Sequence, residues 1–370
     1  MMATDSEIYV KKTNLYLDKW SRFDKDESQL DITHSHGFFS NCTITLSCLT
    51  RIYPAERYVK VNWPRQDRWR DDDQAGRNLF DSYFLPNNNL DTHAMAKLSP
   101  LNHHGVYRDL SFDKLKPYIQ NYFAPTKIVR RKIDEFVQKY GIDYDNTVTL
   151  WYRGTDKFTE LALIPPRYYV AEAQRLIRTH PKLRVLIQTD QEQIRDILIN
   201  ELGESAFYLN ELPVSKSLTG IHAVPSEERG LTNFEFGTAL LAVVQIASKC
   251  KYLITHTGNV GLWIYLYRGN AMNTYQLKPR LPNLISQYDS HQTQNKTLQE
   301  NIHTSALEEE NYELRTENEK VHAELDAINA SYIYRSMKSL SAKMDQLLPD
   351  NTMRGKLRKR VTKAFAAKRT

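Results

Sequence analysis

Three short segments carry residue types suited to holding phosphate, and each follows a strand-like apolar run. The first is Leu150-Trp-Tyr-Arg-Gly-Thr-Asp-Lys157. An arginine leaving a strand end can grip a diphosphate through two parallel hydrogen bonds and neutralise the charge growing on a leaving group. Asp156 would orient Arg153 or close the turn, and Lys157 would add a second cation. Taken alone, the same residues also describe an Arg–Asp pair in an exposed polar turn. The second segment, Val185-Leu-Ile-Gln-Thr-Asp-Gln191, sets Thr189 and Asp190 beside the first site. Asp190 there either meets the ligand or caps a helix beginning at Gln191. The third is Thr255-His-Thr-Gly-Asn259. Its Thr257, Gly258 and Asn259, with the N–H groups of a helix start, make a phosphate cradle, whereas His256 by itself reads as a structural histidine. Each segment has a bland alternative, and their recurrence at successive strand ends makes coincidence a poor explanation.

The elements that must position these turns follow from periodicity. Val129–Lys139 is amphipathic, and Thr147–Tyr152 is a buried-type strand. Pro166 opens a helix to Ile177, and Leu183–Gln188 is the next strand. A helix over Gln191–Ile199 leads to a strand at Ala206–Leu209. The long apolar helix Asn233–Ser248, the strand Tyr252–Thr255 and the helix Gly258–Tyr267 complete the series. Strands alternating with helices of about ten residues or more imply βαβ units and a doubly wound parallel sheet, whose ligand lies beyond the C-terminal strand ends. Upstream, Asn41 caps a helix carrying Ile44, Leu46, Leu49 and Ile52, Pro54 ends it, and Tyr58–Val61 alternates like a strand. Residues 64–125 are rich in Asp, Asn, Arg and Pro and read as long loops with few regular elements.

The 370 residues are 41 % hydrophobic and 25 % charged, which fits a folded chain of more than one domain. Mean hydropathy is −0.58, low for a wholly globular chain. No run of eighteen apolar residues occurs and MMATDSEIYVKK lacks the apolar core of a signal peptide, so neither a membrane-spanning helix nor export is expected. Three cysteines (Cys42, Cys48, Cys250) are too few for a disulfide framework. The net charge of +6 is local: residues 351–370 hold eight cations and no acid, leaving the other 350 residues at −2. Nucleic-acid binding by the main body is therefore not indicated. No metal site is expected, because the cysteines form no CxxC, histidines lack ligand spacing, and Asp71-Asp72-Asp73 reads as a solvated charge run.

Composition shifts near residue 285. Residues 286–330 lack Pro and Gly, and Leu307, Leu314, Val321 and Ile328 recur every seven residues, with Asn311, Asn318, Leu325 and Tyr332 at the other heptad core position. That is a short coiled coil able to pair two chains through 298–332, or a single solvated helix. The eight terminal cations, with Leu357, Val361 and Phe365 interspersed, suit either a helix on anionic lipid or a solubilising tail.

The three turns, in order, resemble the fucosyltransferases related to the core α1,6-fucosyltransferase and the rhizobial nodulation enzyme. That family carries H-x-R-R-T-D-K, then T-D-D, then a helix–strand–T-F-S-S–helix unit. The counterparts here are W-Y-R-G-T-D-K (151–157), T-D-Q (189–191) and ALLAVVQIASKCKYLITHTGNVGLWIY, and the likeness spans roughly 126–280. The resemblance implies a GT-B-like α/β fold of two Rossmann-type domains. An N-terminal acceptor-side domain would span 1–125 and a nucleotide-sugar domain 126–285, followed by coiled coil (286–332) and basic amphipathic tail (333–370). It implies an inverting, metal-independent glycosyltransferase with no cofactor, using a nucleoside-diphosphate sugar, GDP-fucose favoured, and a glycan acceptor. Arg153 corresponds to the family's diphosphate-binding arginine, and Asp156, Lys157 and Asp190 also match. The family's catalytic carboxylate in D-K-V-G-T-E corresponds to Glu160 in D-K-F-T-E, one residue shorter, or Glu160 is an ordinary solvated glutamate.

The chain departs from the pattern at four places. The family histidine is Trp151, its second arginine is Gly154, a guanine-associated aspartate falls at Val243, and serines of the last turn are Gly258 and Asn259. A catalytically inactive glycan-binding or assembly subunit of the same fold, and a coiled-coil scaffold with a nucleic-acid-binding tail, are the alternatives. Residues 327–338 resemble the ends of bacterial surface-polysaccharide glycosyltransferases, implying a cytoplasmic enzyme, peripheral on the membrane, acting on surface glycan. Trp63, Trp69, Asn87, Asn88, Asn89, His103 and His104 suit sugar stacking and hydrogen bonding on the acceptor side.

Overall fold

A computed structural model describes residues 5–35, 37–64, 67–71, 76–155, 163–216 and 220–278. The chain divides into two units, 1–281 and 282–370, and the described residues all belong to the first. The coiled coil and basic tail expected beyond 285, with the pairing and lipid surface assigned to them, lie outside the described residues, as do Asp156, Lys157 and Glu160.

The described chain opens with helix α1 (Asp5–Trp20), strands β1 (Ser21–Asp24) and β2 (Gln29–Ile32), helix α2 (Phe38–Ile52), strand β3 (Lys60–Asn62) and helices α3 (Leu79–Tyr83) and α4 (Phe112–Tyr122). Next come α5 (Lys127–Tyr140), β4 (Thr147–Tyr152), α6 (Pro166–Thr179), β5 (Arg184–Thr189), α7 (Glu192–Leu202) and β6 (Ala206–Tyr208). The series ends with α8 (Ser226–Arg229), α9 (Asn233–Lys249), β7 (Tyr252–His256), α10 (Asn259–Arg268) and β8 (Thr274–Leu277). It is a mixed α/β chain with a parallel sheet.

That sheet has the order β6-β5-β4-β7-β8, and every pairing is parallel. The chain builds outward from β4 to β6, then returns to the other side of β4 with β7, so the order reverses between the C-terminal ends of β4 and β7. Crevices at such reversals are where ligands of open parallel sheets bind. Burial on both faces explains why β4 reads as an unbroken apolar run. Val148, Leu150 and Tyr152 pack with Val185, Ile187 and Ile254 under α6 and α7. The alternate residues Trp151, Leu186 and Leu253 join α5, α9 and α10 on the opposite face.

The second core also takes in the N-terminal elements. Strands β2 and β3 are parallel and α2 connects them, a single βαβ unit, with β1 antiparallel at its edge. Buried on nearly every side, α2 turns its threonines back onto its own carbonyls: Thr43 to Phe39 and Thr45 to Asn41, each at 2.8 Å. The helix starts at Gly37 rather than at Asn41, because Asn41 lies fully buried one turn in and its Oδ1 bonds His34 Nδ1 at 2.6 Å. The stretch 64–125 is more regular than its composition suggests. It contributes α3 and α4, whose Phe80, Tyr118 and Tyr122 enter the core.

Two contacts lock α10 in place. The Trp263 indole N–H donates to Thr43 Oγ1 at 3.0 Å, and Thr43 Oγ1 lies 2.8 Å from both Asn259 Oδ1 and the Phe39 carbonyl, which share its single proton, joining α10 to α2. At Gly261 the helix approaches the end of β7 so closely that an added Cβ would stand 2.6 Å from the His256 carbonyl oxygen. Since backbone cannot yield as a side chain can, G261A is expected to cost about 1–3 kcal/mol. In a unit of this size that lowers Tm by roughly 3–10 °C in a thermal melt. An unchanged melting curve would show that the helix can slide off the strand end.

Candidate functional site

A cavity of about 700 Å³ opens at the C-terminal edge of the parallel sheet, within the roughly 300–1,000 Å³ usual for small-molecule sites. Arg153, Thr189, Asp190 and Asn259 line it, so the sequence-predicted turns after β4, β5 and β7 each contribute to one wall. The opposite wall comes from the N-terminal segments, including Tyr16, His34 and the first turn of α2.

The turn after β4 is organised by Asp190. Its Oδ1 accepts the Gly154 N–H at 2.9 Å, its Oδ2 accepts the Thr155 hydroxyl at 2.6 Å, and the Arg153 Nε lies 3.6 Å from Oδ2. Asp190 therefore does not cap the following helix, the bland role its position suggested. The first N–H of α7, from Glu192, goes instead to the Ser215 carbonyl at 3.0 Å, and Ser215 N–H returns to the Asp190 carbonyl at 2.8 Å. A loop distant in sequence supplies the cap and releases the carboxylate to hold the arginine's turn. An added Cβ at Gly154 would collide with the Gln191 side-chain amide, which fills the space beside it.

Of the third turn, Asn259 reaches the cavity wall while His256, Thr257 and Gly258 are buried behind it. The Gly258 N–H donates to both the His103 carbonyl at 2.9 Å and the Tyr107 hydroxyl oxygen at 2.6 Å. With a φ of 144°, Gly258 adopts a backbone that favours glycine and lets the chain swing directly into α10.

Donors to an anion converge on the cavity. Among its described lining residues Asp190 is the single carboxylate, against Arg153 and four histidines (34, 103, 104 and 222). Two helices begin on it, α2 at Phe38–Ser40 and α10 at Asn259–Val260, and neither has an acid in its first turn or an N-cap side-chain hydrogen bond. Their uncompensated N-terminal dipoles favour an anion. Burial, reinforced by the Asp190 charge, pushes the Tyr152 phenol up to about 12, so it remains a neutral wall residue, packed edge-on against Tyr169.

Several lining residues carried no sequence motif. His34 is held between Asn41 Oδ1 at Nδ1 and the Tyr16 hydroxyl at Nε2, 2.9 Å away. Gln188 carried a signal, a lone amide inside an apolar strand. Of the candidate sugar platforms, Trp69, His103 and His104 line the cavity. Trp63 and Trp69 do not present free faces: Trp63 is enclosed and donates to Thr45 Oγ1 at 3.0 Å, and Trp69 is stacked on Phe236. Asn87, Asn88 and Asn89 are exposed and are not part of the cavity lining. The cysteines are all buried and unpaired. Among the described residues no helix is long and apolar enough to cross a membrane.

No protein-family model matches the chain, and no curated protein matches it. Among solved structures it is similar to NodZ alpha-1,6-fucosyltransferase co-crystallized with GDP, at 13 % identity and a TM-score of 0.39 over 63 % of this chain and 90 % of that one. NodZ alpha-1,6-fucosyltransferase soaked with GDP-fucose gives 13 % and 0.38 over 65 % and 91 %. Fucosyltransferase NodZ from Bradyrhizobium gives 14 % and 0.39 over 63 % and 90 %. Overlaps of that depth transfer no residue's role, and the assignment rests on this chain's own cavity.

Proposed function

We propose that the chain is a glycosyltransferase that moves a sugar from a nucleoside-diphosphate donor to a glycan hydroxyl with inversion. One observation carries this reading. A single cavity at the sheet's reversal point joins Arg153 to two uncapped helix N-termini, and its one described carboxylate is already engaged by the Gly154 N–H and the Thr155 hydroxyl. Such a site suits a diphosphate that gains charge as it departs. In the reaction an acceptor oxygen attacks the anomeric carbon from the face opposite the diphosphate. The bond from that carbon to the phosphate oxygen breaks, its electron pair leaves with the diphosphate, and Arg153 with the helix ends offsets the new charge. The acceptor's proton passes to a base on the attacking side, a role the family resemblance gives to Glu160. In the same reading residues 1–125 form the acceptor-side half of a GT-B enzyme, GDP-fucose is the favoured donor, and the terminal segments tether the enzyme at a membrane where surface glycan is made.

A thermal-shift screen with GDP, UDP, CDP and dTDP tests the core of this proposal. A ligand at a hundred times its dissociation constant stabilises the folded form by about 2.7 kcal/mol, so at least one of the four is expected to raise Tm by several degrees. No shift with any of them at millimolar concentration would overturn it.

A further inference from the structure

Trp151 on β4 and Gln188 on β5 are direct register partners. Both side chains line the cavity, yet they are 6 % and 4 % exposed. They stand on the sheet face shared with Leu186 and Leu253, toward α9 and α10. No hydrogen bond among the described residues engages the Trp151 indole N–H or the Gln188 amide. Other polar groups at this edge have partners: Asp190 holds the 153–155 turn, and Asn259 accepts from Thr43. Their polar atoms are not sealed in protein but reach the cavity, where a ligand's hydroxyls can take the place of water.

We propose that Trp151 and Gln188 form the subsite that reads the hydroxyls of the donor's sugar ring. The proposal rests on the reading of the cavity as a nucleoside-diphosphate-sugar site. Its placement follows from spacing. Arg153 lies two residues beyond Trp151, roughly 7 Å along an extended chain. That is the distance from a gripped diphosphate to the hydroxyl-bearing carbons of a ring attached directly to it, whereas a nucleobase lies beyond the ribose at the far end. The chemistry also matches. Neighbouring hydroxyls each donate and accept, and the amide offers Oε1 as acceptor and Nε2 as donor to such a pair. The indole N–H adds a second donor beside them, and neither group is charged.

Isothermal titration separates sugar reading from base or phosphate reading. Wild type, Q188L and W151F are titrated with GDP and UDP, and with GDP-fucose, GDP-mannose, UDP-glucose and UDP-N-acetylglucosamine. For a nucleoside diphosphate and its sugar that bind the wild type, Q188L is expected to weaken the sugar form about tenfold and W151F about threefold. The matching nucleoside diphosphate should change less than twofold. Equal losses on both forms would overturn the inference by assigning the pair to base or phosphate. Unchanged binding of the sugar form would overturn it while leaving the diphosphate site standing. Failure of wild type to bind any of the six, or CDP, dTDP and their sugar forms, would remove the diphosphate reading and this inference together. Should Q188L not fold, W151F, which keeps an aromatic ring and removes only the N–H-bearing part, decides between the same outcomes.

Discussion

Arg153→Ala is expected to abolish the nucleoside-diphosphate thermal shift and to weaken binding about 30- to 100-fold, with transfer lost. The guanidinium lines the cavity, and charge-assisted hydrogen bonds of the kind it can make are each worth about 1.5–3 kcal/mol. Its ion pair with Asp190 is long, at 3.6 Å, and partly exposed, so the pair itself adds little to folding. A melting curve of the unliganded variant separates loss of binding from loss of fold. Arg153→Lys keeps the charge but loses the planar fork and should fall between the two, near a tenfold loss. Titration of both variants with the nucleoside diphosphate that shifts the wild type gives the result. Wild-type affinity in Arg153→Ala would sink the central assignment.

Asp190→Ala should damage fold and binding together. Its carboxylate accepts the Gly154 N–H and the Thr155 hydroxyl, and both donor residues are buried. Removing it strands two donors at roughly 1–3 kcal/mol each, a loss of about 2–5 kcal/mol and of roughly 5–15 °C in Tm. Arg153 would lose the turn that aims it, so diphosphate affinity should drop about tenfold even below the melting temperature. Asp190→Asn keeps one acceptor oxygen and the side chain's shape and should lose less than half as much stability. Comparing melting curves and titrations of the two variants tests whether the carboxylate builds the turn. A stable Asp190→Ala protein that binds nucleoside diphosphate less tightly would instead mark Asp190 as a ligand contact alone.

The part of the chain most legible in its sequence is the part where local and tertiary demands agree. Between residues 126 and 278 the central strands β4 and β7 are buried on both faces and read as uninterrupted apolar runs. Amphipathic helices such as α5 then fall between them at their natural spacing. The N-terminal third is held together by distant pairings. Strands β1 and β2, SRFD and QLDI, alternate too weakly over four residues to be recognised, and β2 finds its place beside β3 only after α2 has crossed between them. Helix α4 contains Pro117, which reads as a breaker although the helix continues through it.

The site divides in the same way. Arg153, Asp190 and Asn259 could be singled out because each ends a parallel strand or opens the helix after one. His34, Tyr16 and the start of α2 reach the cavity from segments more than a hundred residues away, and no local spacing announces them. Asp190 shows the limit clearly. Its neighbours in sequence suggested a cap, and only the return of the chain at Ser215 reveals that the cap was already supplied.

The Thr43 hydroxyl joins Trp263 and Asn259 across 216 to 220 positions of sequence. A nascent chain still attached to the ribosome short of α10 has α2 but not its partner, and the many apolar side chains of that helix must wait unburied while more than half the protein is synthesised. Completion of the cavity therefore waits on the synthesis of α10 and on loop closure over most of residues 1–281. Translation stalled before residue 259 should leave a sticky, incomplete polypeptide that depends on a chaperone.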